Sequence, residues 1–393
     1  MRAFMARRTI AVGDLHLVRE TPPPVLDDFA SLIEAHRGSR LIVAGDLFDL
    51  SADHPGVAKA TALERSFEEN TRVRSMLAEH VERDGELWLL AGNHDSALAE
   101  EDADGIVRRA LRTDSASALR VRTSPWFLRD AGLHVEHGHL FDPDNATDHP
   151  LAANLRSLGV RFVEDFVAPT GAFRYLNAND GTPLMLFVSA FTWYGKRGPY
   201  VVYKYFDTAF RAVMSSGPFR DAASEQAFGR TREDRFFSSL GEEDPSRFRD
   251  LLEIGAAPTM RSLGETLSRL YLDRVAATCM VMGGLALFAA GRRRAAFTSI
   301  GLGALAMGAS WALGHDRYGG TVPERLREGA GAIRAACATD LVVMGHAHRD
   351  HLEDGYANTG SFAFPRGTPG RPFIEIATKH GKPCAEARHW MQT

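Results

Sequence analysis

The chain predicts an α/β fold carrying a large insertion, and three features of the sequence carry that expectation. Short apolar runs rich in β-branched residues recur along it, each closed by glycine or histidine. Helical patterns lie between the first of these runs, and the alternation stops near residue 142 to resume only around residue 338. Short apolar runs of this type read as buried strands. Strands alternating with helices argue for βαβ units with right-handed crossovers.

Taken in order, Ile10–Val12 is the first strand and runs into Gly13-Asp14-Leu15-His16. Pro22-Pro23-Pro24 then leads into a helix over Val25–His36, stopped by Gly38. Leu41–Ala44 is the second strand and opens into Gly45-Asp46-Leu47-Phe48-Asp49. A single long, highly charged helix is expected over Thr61–Arg83, ending near Asp84-Gly85. Leu87–Ala91 runs into Gly92-Asn93-His94-Asp95, and the mixed run Leu133–Glu136 into His137-Gly138-His139. The alternation breaks after Phe141-Asp142-Pro143-Asp144, and Leu341–Met344 later runs into Gly345-His346-Ala347-His348. The expected organisation is a core in two parts, 1–142 and 338–393, interrupted by a helical insertion over 143–337.

Composition narrows the class. A hydrophobic fraction of 45% with 24% charged residues fits a globular protein and excludes wholesale disorder. The net charge of −4 gives no electrostatic case for a nucleic-acid partner. Cys279, Cys337 and Cys384 share no short spacing, so neither a disulfide framework nor a thiolate zinc site is expected. The basic stretch Met1–Arg8 is followed only by Thr9–Gly13 before a charge, too short a core for a signal peptide.

The insertion holds two apolar runs. Val275–Gly291 is uncharged, Arg292-Arg293-Arg294 follows, and Ala295–Gly314 is again uncharged over 20 residues. A membrane-crossing helix needs roughly 20 apolar residues. Gly301, Ala304 and Gly308 suit close helix packing in lipid. The soluble alternative is a pair of buried core helices. Aromatics interleaved with basic residues at Trp193-Tyr194-Gly195-Lys196-Arg197 and Tyr200–Tyr205 suit a membrane–water interface or an ordinary surface helix. A spanning hairpin puts Arg292–Arg294 on the side opposite the catalytic fold. The positive-inside rule would place them in the cytoplasm, whereas the missing signal peptide places the catalytic face there. In a shallow hairpin the same arginines would snorkel to headgroup phosphates. The reading adopted is a membrane-bound protein with a cytoplasmic catalytic face.

The five clusters offer Asp, Asn and His, a mixed oxygen and nitrogen donor set for divalent transition ions. In open α/β sheets such residues converge at the carboxyl ends of strands. Asp14 and His16 stand two apart and can grip one ion, while Asp46 can bridge two. The first ion takes Asp14, His16, Asp46 and His348; the second takes Asp46, Asn93, His137 and His346. Paired ions acidify a bridging water and clamp a phosphoryl centre, so the expected reaction is in-line attack of metal-bound hydroxide on phosphorus. His94 follows a ligand and can protonate the leaving oxygen or stabilise the equatorial charge, with Asp95 fixing its tautomer. Asp49 is assigned either to support behind the ligands or to a helix cap. His139 is assigned to orienting His137, to touching phosphate or to a solvated turn, and Asn358 and Ser361 to the turn lining the site. Manganese heads the candidate metals, with iron and zinc accepting the same donors.

Gly-Asp-x-His, Gly-Asp, Gly-Asn-His-Asp, a histidine before glycine, and Gly-His-x-His, in this order, resemble the calcineurin-like metallophosphoesterases. The resemblance covers residues 9–142 and about 338–366, roughly two-fifths of the chain. It implies a four-layer α/β/β/α sandwich and the same ligand set. Within the family, Asp14-Leu15-His16-Leu17, Gly45–Asp49 and Asn358-Thr359-Gly360-Ser361 look like the UDP-2,3-diacylglucosamine diphosphatases, peripheral membrane enzymes of lipid A synthesis with a helical lid between the fourth and fifth motifs. That branch usually carries Arg where His94 stands, and its lid is shorter and less apolar. The expected function is hydrolysis of a phosphoester or pyrophosphate of a lipid-linked substrate. The alternatives are a tethered phosphoprotein or nucleotide phosphatase and a non-enzymatic metal-dependent membrane scaffold.

Overall fold

In the computed structural model, which describes residues 8–152, 156–172, 183–240, 249–312, 321–367 and 369–391 (side chains of 183–187 excepted), each of the five apolar runs forms a strand. The first six strands are β1 (Thr9–Val12), β2 (Arg40–Val43), β3 (Glu86–Leu90), β4 (Val121–Ser124), β5 (Phe127–Asp130) and β6 (Leu133–Glu136). Five more follow the helical segment: β7 (Leu341–Met344), β8 (Asp350–Glu353), β9 (Tyr356–Thr359), β10 (Arg371–Lys379) and β11 (Lys382–Trp390). They form two sheets, ordered β11-β10-β1-β2-β3-β4 and β5-β6-β7-β9-β8.

The registers explain why the clusters meet. β1, β2, β3 and β4 run parallel, with Val12 opposite Val43 and Val43 opposite Leu89, so the loops after β1, β2 and β3 leave the same edge. In the second sheet β6, β7 and β9 are parallel, which does the same for the loops after β6 and β7. Pairing continues past the strand ends: the His16 N–H donates to the Asp46 carbonyl at 2.9 Å, and the Gly345 N–H to the His137 carbonyl at 3.0 Å.

Side-chain alternation builds three apolar layers. Ala11, Ile42 and Leu90 of one sheet pack with Val135, Val343 and Ala357 of the other. Val12, Val43 and Leu89 face the opposite way, onto Phe29, Leu63 and Leu77 of helices Pro23–Ala35, Lys59–Glu69 and Thr71–Glu82. Val342 and Met344 pack on Leu326 and Ile333 of helix Thr321–Cys337 and on Phe236 and Phe237 of helix Ala222–Ser239. Helices, two sheets and helices again make a four-layer α/β architecture.

The helix expected over Thr61–Arg83 is two helices, Lys59–Glu69 and Thr71–Glu82. Asn70 separates them at φ −92°, ψ 59°, and its side-chain N–H₂ donates to the Ser66 carbonyl at 2.9 Å. An amide that bonds its own backbone competes with helix continuation. The β10–β11 hairpin closes on a tight turn. His380 and Gly381 both take positive φ, the two-residue turn that antiparallel strands favour.

By contacts the chain divides into two compact units, 1–164 with 222–258 and 321–393, and 165–221 with 259–320. The first holds both sheets and all five clusters. The second has only helices among its described regular elements, including Leu272–Ala289 and Arg293–Ala312, each long and apolar enough to cross a membrane. An α-helix of 18 residues is about 27 Å long, close to the hydrocarbon thickness of a bilayer. They pack as a hairpin at glycines: a Cβ on Gly303 would lie 2.7 Å from the Ala277 carbonyl. Past the end of the first helix, Gly291 at φ +79° lets the Arg292 N–H return to the Leu287 carbonyl at 2.9 Å, a Schellman closure. Val275 lies in the first turn of the first helix, while Arg293, Arg294 and Ala295 open the second. Gly314, the end of the second apolar run, lies outside the described residues.

Candidate metal centre

Glycines and strained backbone set the ligand positions. Asp14, His16, Asp46, His346 and His348 all have positive φ, between +44° and +66°. Each such conformation costs a non-glycine residue roughly 1–3 kcal/mol, and it persists where surrounding structure over-determines it. The adjoining glycine of the last cluster leaves room for a carboxylate: a Cβ on Gly345 would lie 2.7 Å from Asp14 Oδ2.

Two groups of donors form. In the first, His16 Nε2 and His348 Nε2 are 3.1 Å apart, and Asp14 Oδ1 lies 3.1 Å from His348 Nε2 and 3.8 Å from His16 Nε2. Asp14 Oδ2 accepts the His346 backbone N–H at 2.8 Å, which turns Oδ1 inward. In the second, His137 Nε2 lies 3.0 Å from Asn93 Oδ1 and 3.1 Å from Asp46 Oδ2. Asp46 Oδ2 is also 3.7 Å from His16 Nε2, so one oxygen faces both groups. Asp46 Oδ1 accepts the His94 backbone N–H at 2.9 Å.

These donors fit divalent cations. His137 Nδ1 lies 2.9 Å from the Ala44 carbonyl, which can only accept, so Nδ1 carries a proton and Nε2 is the atom that can meet a cation. Nε2 faces two acceptor oxygens, Asn93 Oδ1 and Asp46 Oδ2, a place that favours positive charge, either the ring's own proton or a cation that displaces it. Asp14 Oδ1, fully buried, accepts no hydrogen bond among the described residues. Asp14, His16 and His348, and separately Asp14, Asp46 and His137, bring their ligand atoms within 4.8 Å of one another. His346 stands beside His137, ring centroids 5.1 Å apart, and its Nε2 is taken by Asp142 Oδ2 at 3.0 Å, leaving Nδ1 for an ion.

Charge compensation among these groups is strong. Burial works against ionised Asp14 and Asp46, yet the facing histidines hold both carboxyls well below the usual range. Burial likewise opposes charge on His137, which Asp46 outweighs, holding the ring at about 9. His94 reaches about 10: burial opposes the charge, and Asp49 and Asp46 override it. His139 goes the other way, pushed well below its ordinary value by burial and by His137 and His346. Its ring stands 5.4 Å from that of His137, and among the described residues no hydrogen bond joins the two.

The carboxylate beside His94 is Asp49, not Asp95. Asp49 Oδ1 lies 2.9 Å from His94 Nδ1 and also accepts the Ala52 N–H at 3.0 Å, so it serves both as partner and as helix cap. Asp95 instead accepts the N–H groups of Gly92 and Leu47, both at 2.7 Å, and of Asp46 at 3.3 Å. It knits the second and third cluster loops together. Burial and the Asp46 carboxylate push Asp95 up to about 7. Asn358 Nδ2 donates to the Gly345 carbonyl at 2.7 Å and Ser361 Oγ to the Asp14 carbonyl at 2.8 Å, so both brace cluster loops rather than face the donors. Asp142 and Asn145 bond two of these donors, His346 and Asn93; the one sequence signal they carry is their position directly after the fourth cluster.

No curated protein matches the chain. A family model described as calcineurin-like phosphoesterase matches residues 7–207, just over half of the 393 residues, and so takes in the first four clusters.

Proposed function

The chain belongs to the calcineurin-like phosphoesterase family, and from that premise we propose that it is a membrane-bound two-metal phosphohydrolase acting on a lipid-linked phosphoester or pyrophosphate. The family implies metal-dependent phosphoester hydrolysis. The observation that carries the rest is the second unit, where two apolar helices stand with most of their surface exposed. A substrate of the UDP-2,3-diacylglucosamine kind suits such a protein, since its acyl chains are held at a membrane and its pyrophosphate is the group two ions attack. The catalytic face is placed in the cytoplasm.

When bound, two divalent ions supply a water acidified towards neutrality and a clamp on the phosphoryl oxygens. The chain's own residues do the remainder. Asp14, His16, Asp46 and His348 would hold one ion; Asp46, Asn93, His137 and His346 the other. Asp49 takes the Nδ1–H of His94, which leaves Nε2 to give a proton to the leaving oxygen. The His94 backbone N–H on Asp46 Oδ1 ties the position of the acid to that of the bridging carboxylate. Burial of Asp14, Asp46 and His137 keeps bulk water from these charges.

Deletion of 275–314 tests the lipid reading. Turnover of a lipid phosphoester in mixed micelles should be abolished while a small chromogenic ester is hydrolysed as before. Equal loss or equal retention of both activities sinks it. A scaffold without catalysis predicts no hydrolysis of either ester with added Mn²⁺.

A further inference from the structure

The loop directly after the fourth cluster, Asp142-Pro143-Asp144-Asn145, supplies none of the assigned ligands, yet its side chains reach two of them. His346 Nε2 lies 3.0 Å from Asp142 Oδ2. An ionised carboxylate only accepts, so Nε2 of His346 carries the proton and its Nδ1 keeps a lone pair. Asp142 is buried and held at both oxygens: Asn145 Nδ2 donates to Oδ2 at 2.7 Å, and the Asp144 N–H to Oδ1 at 3.1 Å.

The consequence passes along a chain of amides. Because Asp142 can only accept, Asn145 must turn its N–H₂ towards it, which leaves Asn145 Oδ1 on the other side. There Asn93 Nδ2 donates to it at 3.2 Å. With its own N–H₂ so engaged, Asn93 presents Oδ1 towards His137 Nε2, 3.0 Å away. One carboxylate thus decides, through two amides, that Asn93 offers an oxygen and not a hydrogen to the centre. The entry to the insertion fixes the relay: Ser157 Oγ lies 3.5 Å from Asn145 Oδ1, and a Cβ on Gly159 would collide with that oxygen.

We propose that Asp142 and Asn145 are positioning residues that set which atoms of His346 and Asn93 face the second divalent ion. The proposal rests on the two-metal reading given above. Partners of this kind behind metal ligands change affinity by about 10–100-fold when removed. The isosteric Asp142→Asn is the sharpest test, because Oδ2 accepts from both His346 and Asn145 while Oδ1 accepts from the Asp144 N–H, and no orientation of an amide serves all three donors. With its oxygen towards His346 and Asn145 its N–H₂ opposes the Asp144 N–H; turned round, its N–H₂ faces His346 and Asn145, and the relay to Asn93 reverses, which presents a donor to the cation.

The experiment titrates metal-free full-length protein with Mn²⁺, following heat and the electron paramagnetic resonance signal of a spin-coupled pair. Wild type should bind two equivalents and develop the coupled signal. Asp142→Asn and Asn145→Ala should bind the first equivalent as wild type does and the second about 10–100-fold more weakly, the coupled signal rising only at high Mn²⁺. Half-buried Asn145 gives a milder variant that keeps the test decisive if Asp142→Asn does not fold, which circular dichroism reports. Two equivalents bound with wild-type affinity by a folded variant overturn the proposal. Fewer than two equivalents on wild type overturn the two-metal reading, and the proposal with it.

Discussion

Asp14 and Asp46 are 1% exposed or less, whereas Leu305 in the second unit is 75% exposed and Phe297 64%. Each unit inverts the ordinary partition of a soluble protein, and they do so in opposite senses. The first takes carboxylates and imidazoles out of water, at a desolvation cost that neighbouring charge must offset. The second leaves Phe210, Met282, Leu285, Leu302 and Trp311 in contact with solvent, where each loses the benefit of burial. Neither inversion stabilises an isolated chain in water. The difference matches the proposed function, in which one unit meets small cations and the other an apolar phase.

The comparison breaks most sharply at the bridging carboxylate. Asp46→Asn should lower hydrolysis of a small ester by about 10³-fold or more, beyond the 10–100-fold typical of groups behind the ligands, because Asp46 Oδ2 faces both donor groups and is the proposed bridge between the ions. Retained turnover would refute the dinuclear centre. Next comes His94→Ala, expected to cost about 10²–10⁴-fold in kcat with Mn²⁺ stoichiometry unchanged, since it removes a proton donor and no ligand. A parallel loss of bound metal would instead make His94 part of the cation site.

A smaller effect sharpens the assignment of its partner. Asp49→Asn should reduce kcat by about 10-fold, as the imidazole loses the charge that orients it, and Asp95→Asn should act mainly on stability. The reverse order of kcat losses would return the pairing to Asp95. The smallest effect on chemistry lies in the other unit. Gly303→Leu should destabilise the hairpin by about 1–3 kcal/mol, because the Ala277 carbonyl and Val281 leave no room for a side chain. Thermal unfolding in micelles measures that cost, while small-ester turnover should stay at the wild-type level. If small-ester turnover falls with hairpin stability, the two units are coupled and the comparison drawn above fails.

Much of this was legible beforehand because it depends on local pattern. Apolar runs closed by glycine marked β1, β2, β3, β6 and β7, and parallel pairing carried the residues that follow them to one edge. The two uncharged stretches around Arg292–Arg294 became helices within a few residues of their expected limits. β4, β5 and β8 are four-residue strands with mixed burial, too short a period to read, and β9, though buried throughout, is Tyr356-Ala357-Asn358-Thr359, with polar residues in place of an apolar run. Asn70 escaped because helical periodicity runs through it on both sides.

By itself the sequence determined the donor inventory, the α/β class and an apolar hairpin, since residue identity and spacing suffice for these. Tertiary structure alone decided which oxygen or nitrogen each donor presents. Asp49 rather than Asp95 meets His94, and Asp142 with Asn145 orients His346 and Asn93, through hydrogen bonds spanning 45, 204 and 52 positions of the chain. Hydrogen bonds act over about 3 Å and depend on angle. No periodicity records them, and they exist only once the strand registers have brought separate loops to the same edge.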